Sequence, residues 1–299
     1  MQEKERAACR ACILARGILL AALMAAAARA GEAARPVEIA VLDADGSAVA
    51  QRAAGRDGVA TLAFERVLAK GDKVRVSGPK HLVVRLSEKM PQCLVYAPEG
   101  VVEYPTPAGI ERRVYSPECF VGASHSALAR PATADDLATY RNVAFNPYDV
   151  RGKTTFFPHA TSNSECRNEP DFAARNAIDG LSKNKGHGRW PHQSWGPDKR
   201  TDLWWKVEFG RPVEVDRLVL YIRADFPHDR HWHSAAVEFS DGSREKIEIR
   251  KQAEPQAFEF TRRTVAWLQL TDLVQDPPLG WCALTEVEVW GKDAPAATK

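Results

Sequence analysis

The chain has 299 residues, 27% charged and 44% hydrophobic, a composition that is typical of a folded protein and excludes wholesale disorder. Its formal net charge is +2 at pH 7, and the first thirty residues carry five basic against two acidic side chains. The remainder is therefore close to neutral. Nucleic-acid binding requires clustered lysine and arginine, so we expect no nucleic-acid partner.

The N-terminal thirty residues are typical of a secretory signal peptide. Basic residues precede the apolar run ILLAALMAAAA (18–28), and ARA (28–30) offers small residues for cleavage before Gly31. The run is too short to span a bilayer. We therefore expect a secreted or periplasmic protein without a membrane span; if residues 1–30 reflect a misassigned start, the protein is instead cytoplasmic.

Four cysteines follow this segment, at positions without metal-motif spacing: Cys93, Cys119, Cys166 and Cys282. An even set is compatible with two disulfides in any of three pairings, and four buried thiols are the alternative.

Residues 36–128 are predicted to form a small β-sandwich of unknown role. VEIAVLDADGSAVA (37–50) has two apolar runs around Asp45-Gly46, a hairpin signal. Short alternating segments with glycine and proline between them follow, which is typical of a sandwich. Thr133 with Asp136 three residues later predicts a helix start, so residues 129–142 are interpreted as a helical connector.

Residues 143–292 are predicted to form a second antiparallel β-sandwich, so the fold class is all-β with two sandwich domains. LWWKVEFG (203–210) alternates between apolar and polar positions, and AAVEFSDGSREKIEI (235–249) is a hairpin with Asp241-Gly242 at its turn. All eight tryptophans lie after residue 189, which indicates that the two domains have different roles. Residues 293–299 are predicted to be a disordered tail.

The motif order of the second domain resembles the discoidin, or coagulation-factor type C, domains and the related family 32 carbohydrate-binding modules. The motifs are ARNAIDG (174–180), Trp195, DLWWKVEFGRPVEVDRLVLYI (202–222), VEFSDGS (237–243) and ALTEVEVWG (283–291). The resemblance implies a galactose-binding-like jelly roll over about half the chain, with ligands bound by loops at its end. Saccharide binding needs flat aromatic faces and hydrogen-bonding side chains.

Two loops of the second domain supply such side chains, GHGRWPHQSWGPDKR (186–200) and RADFPHDRHWHSA (223–235). Trp195 is interpreted as a core residue, whereas Trp190 and Trp232 are predicted stacking platforms. The full predicted set of ligand-binding residues is His187, Arg189, Trp190, His192, Arg223, His228, Arg230, His231 and Trp232. Local ion pairs that only fix the loop are the alternative for the second stretch.

The resemblance also implies a structural calcium site built from carbonyls near Asn176, the Asp179 carboxylate and Glu286. The lysines that follow Asp179 weaken this pattern. Zinc is a competing hypothesis for the second loop, since His231 and His233 leave the same face of a strand and His187 or His192 supplies a third ligand.

The sequence therefore predicts reversible, non-catalytic binding of a glycan, without a required cofactor. A zinc-dependent hydrolase and a protein–protein interaction module are the alternatives. No nucleophile elbow or phosphate-binding motif occurs in the chain. The oligomeric state is not predicted.

Overall fold

The structure is a computed structural model that describes residues 35–184, 186, 188–224 and 229–295. The predicted signal segment and two predicted ligand-binding residues, His187 and His228, lie outside the described residues. Within the described ranges, no helix is both long and apolar enough to cross a membrane.

The N-terminal domain is a sandwich of two four-stranded antiparallel sheets. One sheet has the order β2-β1-β4-β7 and the other β3-β8-β5-β6. Alternate side chains of each strand point inward, as in β3, where every second residue is buried. The strands are β1 Glu38–Leu42, β2 Ala48–Ala53, β3 Ala60–Glu65, β4 Lys73–Ser77, β5 His81–Arg85, β6 Cys93–Tyr96, β7 Val101–Pro105 and β8 Ser124–Pro131.

The connector between the domains contains one short helix, α1 (Ala134–Ala138). Thr133 caps it, and the side chain of Asp136 reaches back to the Thr133 backbone, which completes the capping box. The helix is shorter than the predicted connector because β8 extends to Pro131 at one end and β9 begins at Arg141 at the other.

The C-terminal domain is built from seven antiparallel strands with the order β13-β12-β14-β11-β15-β9, and β10 pairs with β11. Together the two domains confirm the predicted all-β fold. The strands are β9 Arg141–Asn142, β10 His159–Ser162, β11 Trp205–Ile222, β12 Ser234–Phe239, β13 Arg244–Glu248, β14 Gln256–Val274 and β15 Leu284–Asp293.

Register shifts interrupt the pairing of the long strands of this domain. The pairing of β11 with β14 shifts between Glu208 and Val213 and again between Val215 and Arg217. The core of this domain contains three buried tryptophans, Trp195, Trp205 and Trp232. Residue Asp293, predicted to begin a disordered tail, is instead the buried last residue of β15, because arginines hold its carboxylate.

The segment 145–157 joins the two domains. Its Tyr148 and Phe156 pack into the N-terminal core, and the Tyr148 hydroxyl donates to the Pro91 carbonyl at 3.0 Å. Tyr96 of β6 and Phe157 exchange backbone hydrogen bonds. The domains therefore share apolar and backbone contacts.

The four cysteines that follow the predicted signal segment are free and buried. Cys93 and Cys119 lie in the N-terminal core, whereas Cys166 and Cys282 lie in the C-terminal domain. Of the two possibilities that the sequence left open, the structure shows four buried thiols and not two disulfides. Buried cysteines of this kind pack as small hydrophobic residues.

Candidate functional site

A cavity of about 230 Å³, the end-loop pocket, lies at the end of the C-terminal sandwich. Four chain segments form it: the turns after β10, the segment before β11, the loop after β11 and the segment before β15. Its functional side chains are Arg167, Phe172, Ser194, Arg223, Asp229 and Trp281.

Backbone hydrogen bonds fix these segments against one another. The N–H of Arg223 donates to the Ala283 carbonyl at 2.9 Å, and the N–H of Arg230 donates to the Trp281 carbonyl at 2.8 Å. Gly280 is required beside them, since a Cβ there would lie 2.1 Å from the Arg230 side chain. The pocket is therefore held by a hydrogen-bonded scaffold, as binding loops on a sandwich require.

The rim of the end-loop pocket carries an exposed aromatic ring. Trp281 is 40% exposed, and the Lys199 ammonium lies 4.6 Å from its ring centroid. The guanidinium of Arg167 lies 5.0 Å from the Phe172 ring. The pocket thus combines aromatic faces with cationic hydrogen-bond donors.

A buried ion pair forms the polar floor. Arg223 Nε donates to Asp229 Oδ2 at 3.1 Å, and both side chains are almost fully buried. Arg223 also donates to the His192 carbonyl at 3.2 Å, while Lys251 donates to the Asp229 carbonyl at 3.0 Å. The pairing fixes a charged donor and a charged acceptor together in the wall of one cavity.

Trp232 lies beneath the pocket and not on its rim, so its predicted role as a stacking platform is corrected. Its ring is fully buried and stacks on Trp195, with the centroids 5.6 Å apart and the planes 20° from parallel. The Trp195 indole N–H donates to the Ser164 carbonyl at 3.0 Å. Two stacked core rings have no free face for a sugar, because β-sandwich packing covers them.

The side chains of His192 and Trp190, both predicted to bind the ligand, do not line the end-loop pocket. His192 is buried, and its Nε2 contacts the Asp171 carboxylate, which also pairs with Arg113 of the N-terminal domain at 3.2 Å. Trp190 is half-buried in a cleft between the domains. Arg189 beside it is exposed. The first predicted loop is therefore divided: its part around Trp190 lies at the domain boundary, which corrects the predicted place of Trp190, whereas Ser194 lines the end-loop pocket.

The second predicted loop contributes Arg223 and Asp229 to the pocket, and the other predicted residues of this loop that the structure describes do not line it. Arg223 lies in the pocket wall, whereas Arg230 is exposed next to Gly280. His231 and His233 stand edge to face, 4.6 Å between ring centroids, and His233 Nε2 lies 3.0 Å from an Asp276 carboxylate oxygen.

The described ranges contain no group of three histidine, cysteine, aspartate or glutamate side chains arranged to hold a metal. The third ligand of the zinc hypothesis has two candidates. His192 is held by Asp171, and His187 lies outside the described residues.

A pair of buried carboxyl groups lies at the Asp179-Gly180 turn. Glu286 Oε2 accepts the Gly180 N–H at 3.0 Å, while the two Asp179 oxygens accept from Leu181 and Gln193 at 2.9 and 3.0 Å. Gly180 is fixed here, since its φ is +86° and a Cβ would lie 2.6 Å from the Phe145 ring.

Burial dominates the electrostatics of this carboxyl pair. It raises the pKa of Asp179 to about 6, against an opposing effect of the Arg175 charge and of the hydrogen bonds. Burial and then the Asp179 charge raise the pKa of Glu286 well above its ordinary value. Two like charges forced together out of water favour either a proton or a cation between them.

Asp179 and Glu286 supply only part of the calcium site that the sequence resemblance implies. Carboxylate oxygens are the ligands that calcium prefers, but calcium takes six to eight oxygens, and no third such side chain joins these two among the described residues. The side chain of Asn176 is not a ligand, because its amide donates to the Pro170 carbonyl at 2.8 Å and its oxygen accepts from Arg175 at 3.2 Å. The predicted contribution of that region is therefore limited to backbone carbonyls.

Sequence reasoning missed Trp281, Phe172 and Arg167. Trp281 follows DPPLG (276–280), a proline- and glycine-rich segment just before the last strand. The criterion applied to Trp190, an aromatic residue in a segment without strand alternation, selects Trp281 equally well. Phe172 and Arg167 lie in irregular turns between 166 and 172, where no periodic pattern marks a function.

Comparison with known proteins finds one family model that matches part of the chain and a set of similar solved structures. A family model described as a domain of unknown function (DUF7402) matches residues 156–290. No curated protein matches the chain.

Three of the similar solved structures are carbohydrate-binding modules. A chitosan-binding module of a chitosanase/glucanase from Paenibacillus sp. IK-5 is 22% identical, with a TM-score of 0.36, over 51% of this chain and 100% of its own. A fucose-binding module from Streptococcus pneumoniae is 17% identical, with a TM-score of 0.37, over 50% and 96%. A family 32 carbohydrate-binding module from C. perfringens, in complex with galactose, is 15% identical, with a TM-score of 0.35, over 44% and 91%.

The structure itself shows that the C-terminal domain is an antiparallel β-sheet domain, as predicted. A fold of this kind does not fix a ligand. The ligand is therefore argued from the site.

Proposed function

We propose that the C-terminal domain binds a glycan non-catalytically through the end-loop pocket. The observation that carries the proposal is the position of Trp281, an exposed ring on the rim of a cavity whose wall holds Arg223 and Asp229. An indole face covers the apolar C–H face of a pyranose, and a fixed donor and acceptor match its hydroxyls. The cavity suits one sugar unit more than an extended chain.

Binding at such a site is expected to be weak for a single copy. A small polar ligand gains little beyond the desolvation of its own hydroxyls, and the rim contributes one principal ring. Several copies or several glycan ends raise the avidity without new contacts.

The proposal is tested by glycan retention of Trp281→Ala. Chitosan oligomers, fucose and galactose are suitable probes, because two of the similar modules are named for chitosan and fucose and the third is in complex with galactose. We expect Trp281→Ala to lower the affinity by about tenfold or more, while its melting temperature stays unchanged, since stacking contributes about 1.4 kcal/mol.

Trp267→Ala is the matched control. Trp267 is half-buried on β14 and has the Lys206 ammonium 4.8 Å from its ring, but it does not line the pocket. Retention that survives Trp281→Ala and is lost in Trp267→Ala contradicts the assignment. An absence of glycan binding together with a co-purifying protein would instead support the interaction-module alternative.

We also propose that Asp179 and Glu286 hold a structural calcium ion at the Asp179-Gly180 turn. The ion supplies positive charge between two buried carboxylates, which then ionise without mutual repulsion. Calcium is expected to raise the melting temperature of the protein, and Glu286→Gln is expected to remove that rise. An equal rise with magnesium and in Glu286→Gln would contradict a specific site.

A further inference from the structure

A second cavity, the interdomain cleft, lies between the two sandwiches and is separate from the end-loop pocket. Its volume is about 400 Å³, and it shares no lining residue with that pocket. The N-terminal domain contributes Lys89, Met90 and Tyr115, and the C-terminal domain contributes Arg175 and Trp190. Clefts at domain boundaries are frequent places for small ligands.

The apolar part of the cleft has room for a ring. Met90, Val114, Phe145 and Leu181 line it together with the half-buried Trp190. The indole nitrogen of Trp190 is buried and has no hydrogen-bond partner among the described residues. A buried N–H without a partner is unfavourable, so an acceptor on a ligand that reaches this nitrogen would be favoured.

The polar part of the cleft contains a buried arginine, Arg175. The guanidinium of Arg175 belongs to a residue that is only 4% exposed, and it stacks on the Tyr115 ring at 5.0 Å. No salt bridge within 4.0 Å joins it to a carboxylate of the described residues. A buried arginine without a direct ionic partner is an unusual arrangement, because burial normally requires pairing.

Arg175 retains donors for a ligand. Its Nε donates to the Asp149 carbonyl at 2.6 Å, one Nη to the Pro147 carbonyl at 2.9 Å and the other to Asn176 at 3.2 Å. These bonds use three of the five N–H groups of a guanidinium.

The other charged groups of the cleft have partners of their own. Lys89 is half-exposed at the cleft and has a solvent-exposed partner, Glu118, at 3.6 Å. Asp179 is the acidic residue of the lining, and its two oxygens accept hydrogen bonds from Leu181 and Gln193. The feature that would attract an anionic group is therefore the remaining N–H groups of Arg175.

We propose that the interdomain cleft binds a small organic carboxylate with a ring-sized apolar body. The carboxylate pairs with Arg175, one of its oxygens accepts the Trp190 indole N–H, and the ring occupies the apolar part. A sugar acid and an aromatic acid share this chemistry. The proposal is independent of glycan binding at the end-loop pocket.

The test uses the whole chain labelled with ¹⁵N, and phenylacetate, 2-phenylethanol, 2-phenylethylamine and glucuronate as probes. We expect phenylacetate to move the indole N–H signal that disappears in Trp190→Phe, and to bind at least tenfold more tightly than the alcohol or the amine. Glucuronate binding in place of phenylacetate identifies the ligand as a sugar acid. Equal binding of acid, alcohol and amine, or no shift of the Trp190 signal with either acid, overturns the proposal.

Two variants locate the site. Trp190→Phe keeps the ring and removes the N–H, and we expect a three- to tenfold loss of affinity for the acid. Trp281→Phe changes the end-loop pocket alone and is expected to leave this affinity unchanged. Loss in Trp281→Phe with retention in Trp190→Phe would place the acid in the end-loop pocket and overturn the assignment. The probe comparison on the unchanged protein decides the charge requirement even if a variant folds poorly.

Discussion

Two buried acidic centres of the C-terminal domain have opposite surroundings. Asp293, at the end of β15, contacts Arg141 and Arg211, and His81 of the N-terminal domain lies 3.5 Å away. Asp179 instead lies beside a second carboxyl group, Glu286. At Asp293, nearby cations offset the free-energy cost of burying a charge. At Asp179, a second carboxyl group adds to that cost.

The pKa values of the two acids, Asp293 and Asp179, are therefore shifted in opposite directions. Burial alone raises the pKa of Asp293, but the hydrogen bonds of His81 and Arg211 and the arginine charge outweigh burial and hold this pKa well below its ordinary value. At the other centre burial prevails, and the pKa of Asp179 rises to about 6. A buried carboxylate that is paired with cations stabilises the fold. Two neighbouring carboxyl groups without a cation between them are suited to binding an ion.

Replacement of Asp293 gives the largest expected effect. Asp293→Asn leaves two arginines without their shared carboxylate, and the side chain of Arg211 is only 4% exposed. Breaking a buried pair in this way costs about 3–5 kcal/mol of unfolding free energy. Urea unfolding at neutral pH measures it. A stability of the Asp293→Asn variant within ~1 kcal/mol of the unchanged protein would show that the cluster is not a structural clamp.

The pH dependence of calcium-free protein separates the two centres. Because the folded-state pKa of Asp179 exceeds its unfolded value of 3.8, the folded protein holds a proton that the unfolded chain releases. Stability from this centre is complete below pH 4 and is lost as the pH rises through 6. Asp293 behaves in the opposite way, and its contribution is complete above about pH 5.

Between pH 5 and 8 we therefore expect the unfolding free energy in chelator to fall by about 2 kcal/mol. Calcium should abolish most of this fall. Burial lowers the pKa of His159, but Asp149 outweighs it and raises this pKa, so His159 also makes the unfolding free energy fall as the pH rises. The test is therefore the difference in slope between the unchanged protein and Glu286→Gln. The same slope in both proteins would exclude the carboxyl pair as its source.

The two acids show that the surroundings of a residue matter as much as its type. The surroundings are what the sequence could not predict. Strand alternation and the Asp-Gly turns predicted the two sandwiches, because side-chain period and turn chemistry are local properties. Whether an aromatic ring lies in the core or on the rim depends on contacts between distant segments. Trp232 is covered by Trp195, thirty-seven positions away in the chain, whereas Trp281 is left exposed on a rim formed by four segments.

The end of the sandwich was predictable as a binding region, but the side chains within it were not. Arg223 was identified because it directly follows a strand whose end is fixed by its alternation. Trp190 was predicted at the same end, but its loop turns towards the domain boundary, where Asp171 and Arg113 meet across the two domains. Such a contact between domains has no periodic signature in a single sequence.

A third acid, Asp216, extends the comparison of Asp293 with Asp179, and its replacement is expected to have the smallest effect on stability. Asp216 also has two partners, since it accepts from Tyr140 at 2.7 Å and from Arg262 at 2.7 Å. Arg262 is 62% exposed, however, and hydrogen bonds at an exposed site are screened by water and salt. Asp216→Asn is therefore expected to cost less than about 1 kcal/mol, and high salt should reduce that cost further.

Comparison of Asp216→Asn with Asp293→Asn isolates burial, because both changes remove one negative charge that is bonded to an arginine. Urea unfolding at low and high salt measures both variants under the same conditions. Equal costs would mean that the number of partners and not their burial sets the stability of these acids. A several-fold larger, salt-insensitive cost at Asp293 would show that exclusion of water makes its arginine cluster essential to the fold.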